Sequence, residues 1–241
     1  MATTPAASTR LNEAVSRRRS TSGAAAAGLA IGPLAGGRIE TRGELRESRA
    51  WSTMKVPVIV AAVAAGGADW EAVEAAITRS DNDAAARLWN ELDDGAARVE
   101  AALREAGDNE TTLEREPDPR GYSSFGRTVW SLSAAVRFYG ALARGELLAS
   151  SYTERILDAM GRIVPEQRWC LGAMDPPIPF KGGWGPSESP EGGYEVIQVG
   201  IAGPAVIAIA ARAQDSEAAK RLASKHVPQH PNAPQLRATG D

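Results

Sequence analysis

Residues 52–65 read STMKVPVIVAAVAA, and from Met54 to Ala65 the only charged or polar side chain is Lys55. That length and alanine content predict a buried helix with Ser52 at its N-terminal end. Pro57 is compatible with such a helix, because the first-turn N–H groups have no intrahelical acceptor. Toward the N-terminus, the apolar stretch Ala24–Ile31 reads as a strand, and Gly36–Gly37 turns the chain into a second strand at Arg38–Thr41. Toward the C-terminus, helical patterns follow at residues 68–78, 83–92, 96–106, 128–142 and 150–160. After Val164 the pattern changes to Pro and Gly punctuation around short apolar runs at 179–184, 194–202 and 205–211, which read as an antiparallel meander. A helix at 215–225 closes the fold.

Strands at both ends with helices between them predict an α+β fold, an antiparallel sheet flanked by helices plus an all-helical lobe. The expected division is a flexible segment at 1–21, a sheet lobe from 22–58 and 166–227, a helical lobe at 59–165, and a disordered tail at 228–241. A cleft is then expected between the lobes, where ligand sites tend to form.

Composition narrows the chemistry. The chain has 241 residues, with 27 Lys plus Arg against 30 Asp plus Glu, so the formal charge is 27 − 30 = −3. This balance carries no electrostatic footprint for nucleic acid. No apolar run is long enough to span a bilayer, and no signal-peptide core follows the basic run Arg17–Arg19. The single Cys170 excludes an internal disulfide. Only His226 and His230 are present, which argues against a histidine triad or histidine metal cluster. No cofactor or metal is expected, and nothing in the pattern specifies an oligomer. Hydrolytic chemistry here calls for a base other than histidine.

Four short motifs supply candidates. Ser52-Thr53-Met54-Lys55 places a hydroxyl and an amine nearly one helical turn apart. A buried amine with a lowered pKa can take the proton of a neighbouring hydroxyl. In isolation the same four residues describe a capping serine and a solvated lysine. Ser80-Asp81-Asn82 lies between helical runs and is equally a set of preferred helix caps. Glu116-Pro117-Asp118-Pro119 is too proline-rich for regular structure and reads by itself as a rigid acidic loop. Lys181-Gly182-Gly183-Trp184-Gly185 places a lysine on a strand beside glycines that permit close approach; a plain strand end has the same composition.

In this order the motifs resemble the penicillin-recognising serine hydrolases, most closely the class A β-lactamase type with its S-x-x-K, S-D-N and K-T-G boxes. The likeness continues through Ser80–Ala86, Gly107-Asp108, Thr112-Leu113, Arg115 and Glu116-Pro117, and covers about residues 22–227. It implies the β-lactamase/transpeptidase-like fold and an enzyme that acylates Ser52 with amide-like substrates, hydrolysing β-lactams. Its alternatives are a D-Ala-D-Ala peptidase or esterase of the same fold, and a penicillin-binding or sensor protein without turnover. By position, Ser52 is the implied nucleophile and Lys55 its proton acceptor or relay. Ser80 passes a proton to the leaving nitrogen, Lys181 supplies positive potential, and Asn82 holds the substrate amide. Gly183 and Trp184 belong to the substrate-binding strand, and the N–H groups of Ser52 and Trp184 form the oxyanion hole. Glu116 handles the deacylating water, and either it or the lysine takes the first proton. The implied partner is a small β-lactam or a peptidoglycan-like peptide, with no nucleic acid, no membrane span and a monomeric chain. Members of such a family are normally exported.

Three departures from the pattern carry expectations of their own. Gly182 replaces the third-box Thr or Ser and removes a hydroxyl for the substrate carboxylate. Arg120 stands four residues after Glu116, where the family has an asparagine, and is expected to pair with Glu116 and crowd its water. Glu114 is then the nearest substitute acid. Finally, only 28 residues separate Ser52 from Ser80, about half the usual span, which predicts a more open cleft.

Overall fold

The computed structural model describes residues 25–116, 118–189 and 192–227. The expectations for segments 1–21 and 228–241 lie outside the described residues. Five antiparallel strands form the main sheet: β1 (Ala26–Pro33), β2 (Glu40–Gly43), β5 (Phe180–Pro186), β6 (Tyr194–Ala202) and β7 (Ala205–Ala213), in the order β2-β1-β7-β6-β5. The N-terminal pair thus joins the C-terminal meander as expected, through the β1–β7 ladder from Ala26↔Arg212 to Pro33↔Ala205.

The helices are α1 (Lys55–Ala64), α2 (Trp70–Thr78), α3 (Asn82–Asn90), α4 (Gly95–Glu105), the short α5 (Ser124–Arg127), α6 (Leu132–Ala143), α7 (Ser150–Gly161) and α8 (Ser216–Ser224). Helix α1 is buried on every face over its first nine residues, in accord with a sequence that lacks a polar stripe. Alternation on β6 divides the core. Ile197 and Val199 face the helical layer, whereas Val196 and Ala202 face the cluster under α8.

Two readings need correction. Residues 128–142 were expected to be one helix, yet Val129–Ser131 forms β4, which pairs with β3 (Glu47–Arg49) as a small second sheet before α6 begins. Ser52 does not lie on the α-helix itself. It occupies a 3₁₀ turn, Trp51–Met54, that leads into α1 at Lys55.

Candidate active site

The Trp51–Met54 turn is fixed from several sides. The Thr53 hydroxyl bonds the Ala50 carbonyl, the buried Tyr139 hydroxyl donates to the Thr53 carbonyl at 3.1 Å, and the Ala50 N–H reaches the Thr128 carbonyl at 2.8 Å. Trp51 itself is left-handed, with φ +48°. Non-glycine residues seldom adopt that conformation, and when they do they concentrate at functional sites. Strand β5 lies against this turn. A Cβ at Gly183 would stand 2.7 Å from the Ser52 nitrogen, and one at Gly185 would stand 2.3 Å from the Trp51 ring. Both positions must therefore be glycine for the strand to approach. The result places the Ser52 N–H beside the strand that carries Trp184.

Two lysines converge on one hydroxyl. Lys181 is fully buried (0% exposed), and its Nζ donates to Ser80 Oγ at 2.9 Å and to the Gly182 carbonyl at 2.9 Å. Lys55, 2% exposed, approaches the same Oγ at 3.4 Å. Its Nζ also donates to the carbonyls of Ser80 and Asp81 (3.1 Å for the latter) and to Asn82 Oδ1 at 2.8 Å. Ser80 holds this position in a left-handed conformation, φ +57°. Burial lowers the Lys55 amine from 10.5 to about 8, against the opposing pull of the Asp81 charge. Burial, with some help from the Lys55 charge, pushes Lys181 well below the ordinary lysine range. Both amines are thereby moved toward the neutral form that can accept a proton.

The capping reading of Ser80-Asp81-Asn82 holds for its middle residue. Asp81 caps α3 by accepting the Ala84 N–H at 2.9 Å, and that bond first of all keeps its carboxyl below the usual range. Asn82 faces Lys55.

The acids of the 114–122 loop are arranged differently from expectation. Glu116 is exposed, and no hydrogen bond or ion pair joins its carboxylate to Lys55 or to any other described residue. Its carbonyl accepts from Arg127 at 3.2 Å. Glu114, the substitute acid, turns onto its own loop. It accepts the Arg115 and Glu116 N–H groups at 2.9 Å each, and the Glu116 bond leads the causes that hold its carboxyl down. Arg120 does not pair with Glu116. It engages Asp118 at 2.7 Å and Glu188 at 2.6 Å, because those carboxylates flank it on both sides. Sequence reasoning missed Glu188, Arg49 and Arg127, which complete this network, and also Tyr122, whose ring meets Trp51 edge-on at 5.3 Å. Their separation along the chain left no local signal.

Beneath the third box, the space at Gly182 is bounded by Gln198 and Trp169. Gln198 Oε1 accepts from the Leu171 N–H at 2.8 Å and the Gly172 N–H at 3.4 Å, which leaves its buried Nε2 without a partner.

The architecture matches known β-lactamase folds across nearly all of the chain. The TLA-1 extended-spectrum β-lactamase aligns with a TM-score of 0.68 at 13% identity, over 90% of this chain and 95% of its own. The fold is β-lactamase-like. A family model described as the β-lactamase enzyme family matches residues 68–169. The chromosome-encoded β-lactamase of Vibrio parahaemolyticus is similar at TM-score 0.65 and 16% identity, over 89% of this chain and 94% of that one. The protein PBP-A matches at TM-score 0.65 and 22% identity, over 90% of this chain and 92% of that one. No curated protein sequence matches the chain. At these identities the structural matches establish the fold. Within this β-lactamase-like framework, no group of three or more His, Cys, Asp and Glu side chains among the described residues is arranged to hold a metal. No helix among them is long and apolar enough to cross a membrane.

Proposed function

We propose that the protein is a serine hydrolase in which Ser52 is acylated by a β-lactam or a related amide. The observation that carries this reading is the Ser80 hydroxyl held between two buried amines, Lys55 at 3.4 Å and Lys181 at 2.9 Å. Neutral Lys55 takes the proton of Ser52 Oγ as that oxygen attacks the substrate carbonyl. The N–H groups of Ser52 and Trp184 receive the developing oxyanion, and each such donor contributes roughly 10²–10³ in rate. As the carbon–nitrogen bond breaks, Ser80 hands its proton to the leaving nitrogen and regains one from the lysines beside it. Asn82 and the β5 edge at Gly183 orient the substrate. Lys55 is favoured over Glu116 as the first proton acceptor, because Lys55 has the lowered pKa and the Glu116 carboxylate makes no contact with it.

The same position of Glu116 favours slow release of the acyl group. PBP-A, of similar fold, has been captured as an acyl-enzyme with penicillin G in a variant form. An intact-mass time course with a penicillin, on the native chain and on Ser52→Ala, tests the proposal. An adduct on the native chain alone supports it. A decaying adduct identifies a β-lactamase, and a lasting one a penicillin-binding protein. No adduct on the native chain, or an adduct on Ser52→Ala, refutes the assignment, and turnover of D-Ala-D-Ala peptides or esters without β-lactam labelling redirects it to a peptidase or esterase.

A further inference from the structure

Glu188 sits on the connection between β5 and β6 and ties three separate segments together. Its carboxylate pairs with Arg49, two residues before Trp51, with Arg120 at 2.6 Å and with Arg127 at 3.5 Å. Asp118 closes the network, accepting from Arg120 at 2.7 Å and forming an ion pair with Arg127 at 3.0 Å, with only 1% of its side chain exposed. Arg49 also donates to the Arg127 carbonyl, and Arg127 to the Glu116 carbonyl. The connection itself is anchored on the sheet: the Ser187 N–H bonds the Gly193 carbonyl at 2.9 Å, and the Ser187 hydroxyl bonds the buried Glu195 at 2.9 Å. Glu188 is thus a fixed post to which the 118–127 segment is tied. Although burial opposes it, the surrounding arginines keep the Glu188 carboxyl below its usual range and hence ionised.

The tie has a consequence for the site. Arg120 lies over the Tyr122 ring at 5.2 Å, and that ring stands edge-on to Trp51, the residue before Ser52. Tyr122 is 39% exposed, so part of it remains accessible beside the turn. We infer that Glu188 is a positioning residue that holds the 118–127 segment shut against the Ser52 turn. Through Arg120 it fixes Tyr122 as a wall that limits the width of the acyl side chain the site admits. The selectivity half of this inference rests on the acylation of Ser52 proposed above. The latch itself stands on the ion pairs alone.

The test combines amide hydrogen exchange on peptides within 118–127 with acylation rates. The rates are taken for 6-aminopenicillanic acid and for a penicillin with a bulky aryl side chain, on native protein and Glu188→Gln. Loss of the latch should raise exchange in this segment by about tenfold and leave α6 unchanged. The ratio of bulky to small acylation rates should rise at least several-fold (about fivefold), as expected when a packed wall moves. Sodium chloride at about 1 M should shift native exchange in the same direction but less than Glu188→Gln does, because only Arg120 of the network is well exposed and partly buried pairs are screened less. Unchanged exchange in Glu188→Gln overturns the latch. Raised exchange with an unchanged rate ratio overturns the positioning role. A native chain that no penicillin acylates defeats the serine-hydrolase reading instead, and the exchange data still decide the latch.

Discussion

Gly182→Ser should stabilise this protein, and the structure indicates by how much. A Cβ at position 182 meets Gln198 Cγ and Nε2 at 3.5 Å each and Trp169 Cζ2 at 3.8 Å, all ordinary contacts, so the added atom displaces nothing. Because both N–H donors fix Gln198 Oε1, the amide cannot turn its nitrogen elsewhere, and Nε2 is the group that lacks a partner. A serine hydroxyl, one bond beyond a Cβ that already lies 3.5 Å from Nε2, is expected to accept its proton. A net hydrogen bond contributes about 1 kcal/mol, and leaving a buried donor unsatisfied costs about 1–3 kcal/mol. We therefore expect the hydroxyl to add about 1–2 kcal/mol. Gly182→Ala is the control, since it supplies the same Cβ and a less costly strand backbone but no acceptor. The melting temperature of the serine variant should exceed that of the alanine variant by about 2–8 °C, given the slope for a chain of this size. The new hydroxyl keeps its own proton to offer a substrate carboxylate, so acylation by a penicillin should also improve relative to the alanine variant. Equal melting temperatures for the two variants, or a lower one for serine, would show that Gln198 Nε2 is not an orphan.

Other expectations concern the site directly. Lys55 must be neutral to act as base, so the acylation rate should climb as pH rises through about 8, where its folded-state proton leaves; a flat profile from pH 6 to 9 removes Lys55 from that role. The same shift makes the unfolded chain bind more protons than the folded one between about 8 and 10.5, so urea titrations should find that this group adds stability as pH rises across that window. Gly183→Ala forces its Cβ onto the Ser52 nitrogen and should cut acylation by roughly 10²–10³, the loss typical of an oxyanion donor; unaltered labelling would separate the strand from the oxyanion site. Glu116→Gln should leave the pH midpoint of acylation in place, since no bond links that carboxylate to Lys55; a displaced midpoint would reveal a coupling that the geometry lacks.

The helical layer and the five-stranded sheet were legible because their signals are local and repeated. Val56–Ala65 is apolar on all sides, and the β5–β7 meander is punctuated by Gly and Pro. The β3–β4 pair was not legible. Three-residue strands cannot display a period of two, and Val129–Ser131 runs straight into the apolar pattern of α6. The lysines and Ser80 stood out as motifs, and their convergence is a fact of packing that spacing only suggests. Arg120 was assigned to Glu116 from the four-residue spacing that the family resemblance supplies. Its partners are Asp118, two residues away with a matching fork, and Glu188, which only the closed sheet brings into reach.

The convergence of Lys55 and Lys181 on one oxygen makes the pair a shared proton reservoir. Burial lowers both amines, and the Lys55 charge adds to the lowering at Lys181, so a proton on Lys55 discourages one on Lys181. In the mechanism proposed above, a proton delivered through Ser80 to a departing group is replaced from either lysine, both of which reach that hydroxyl. Removal of Lys55 should therefore raise the basicity of Lys181. Loss of a lysine here re-tunes the site as well as depleting it.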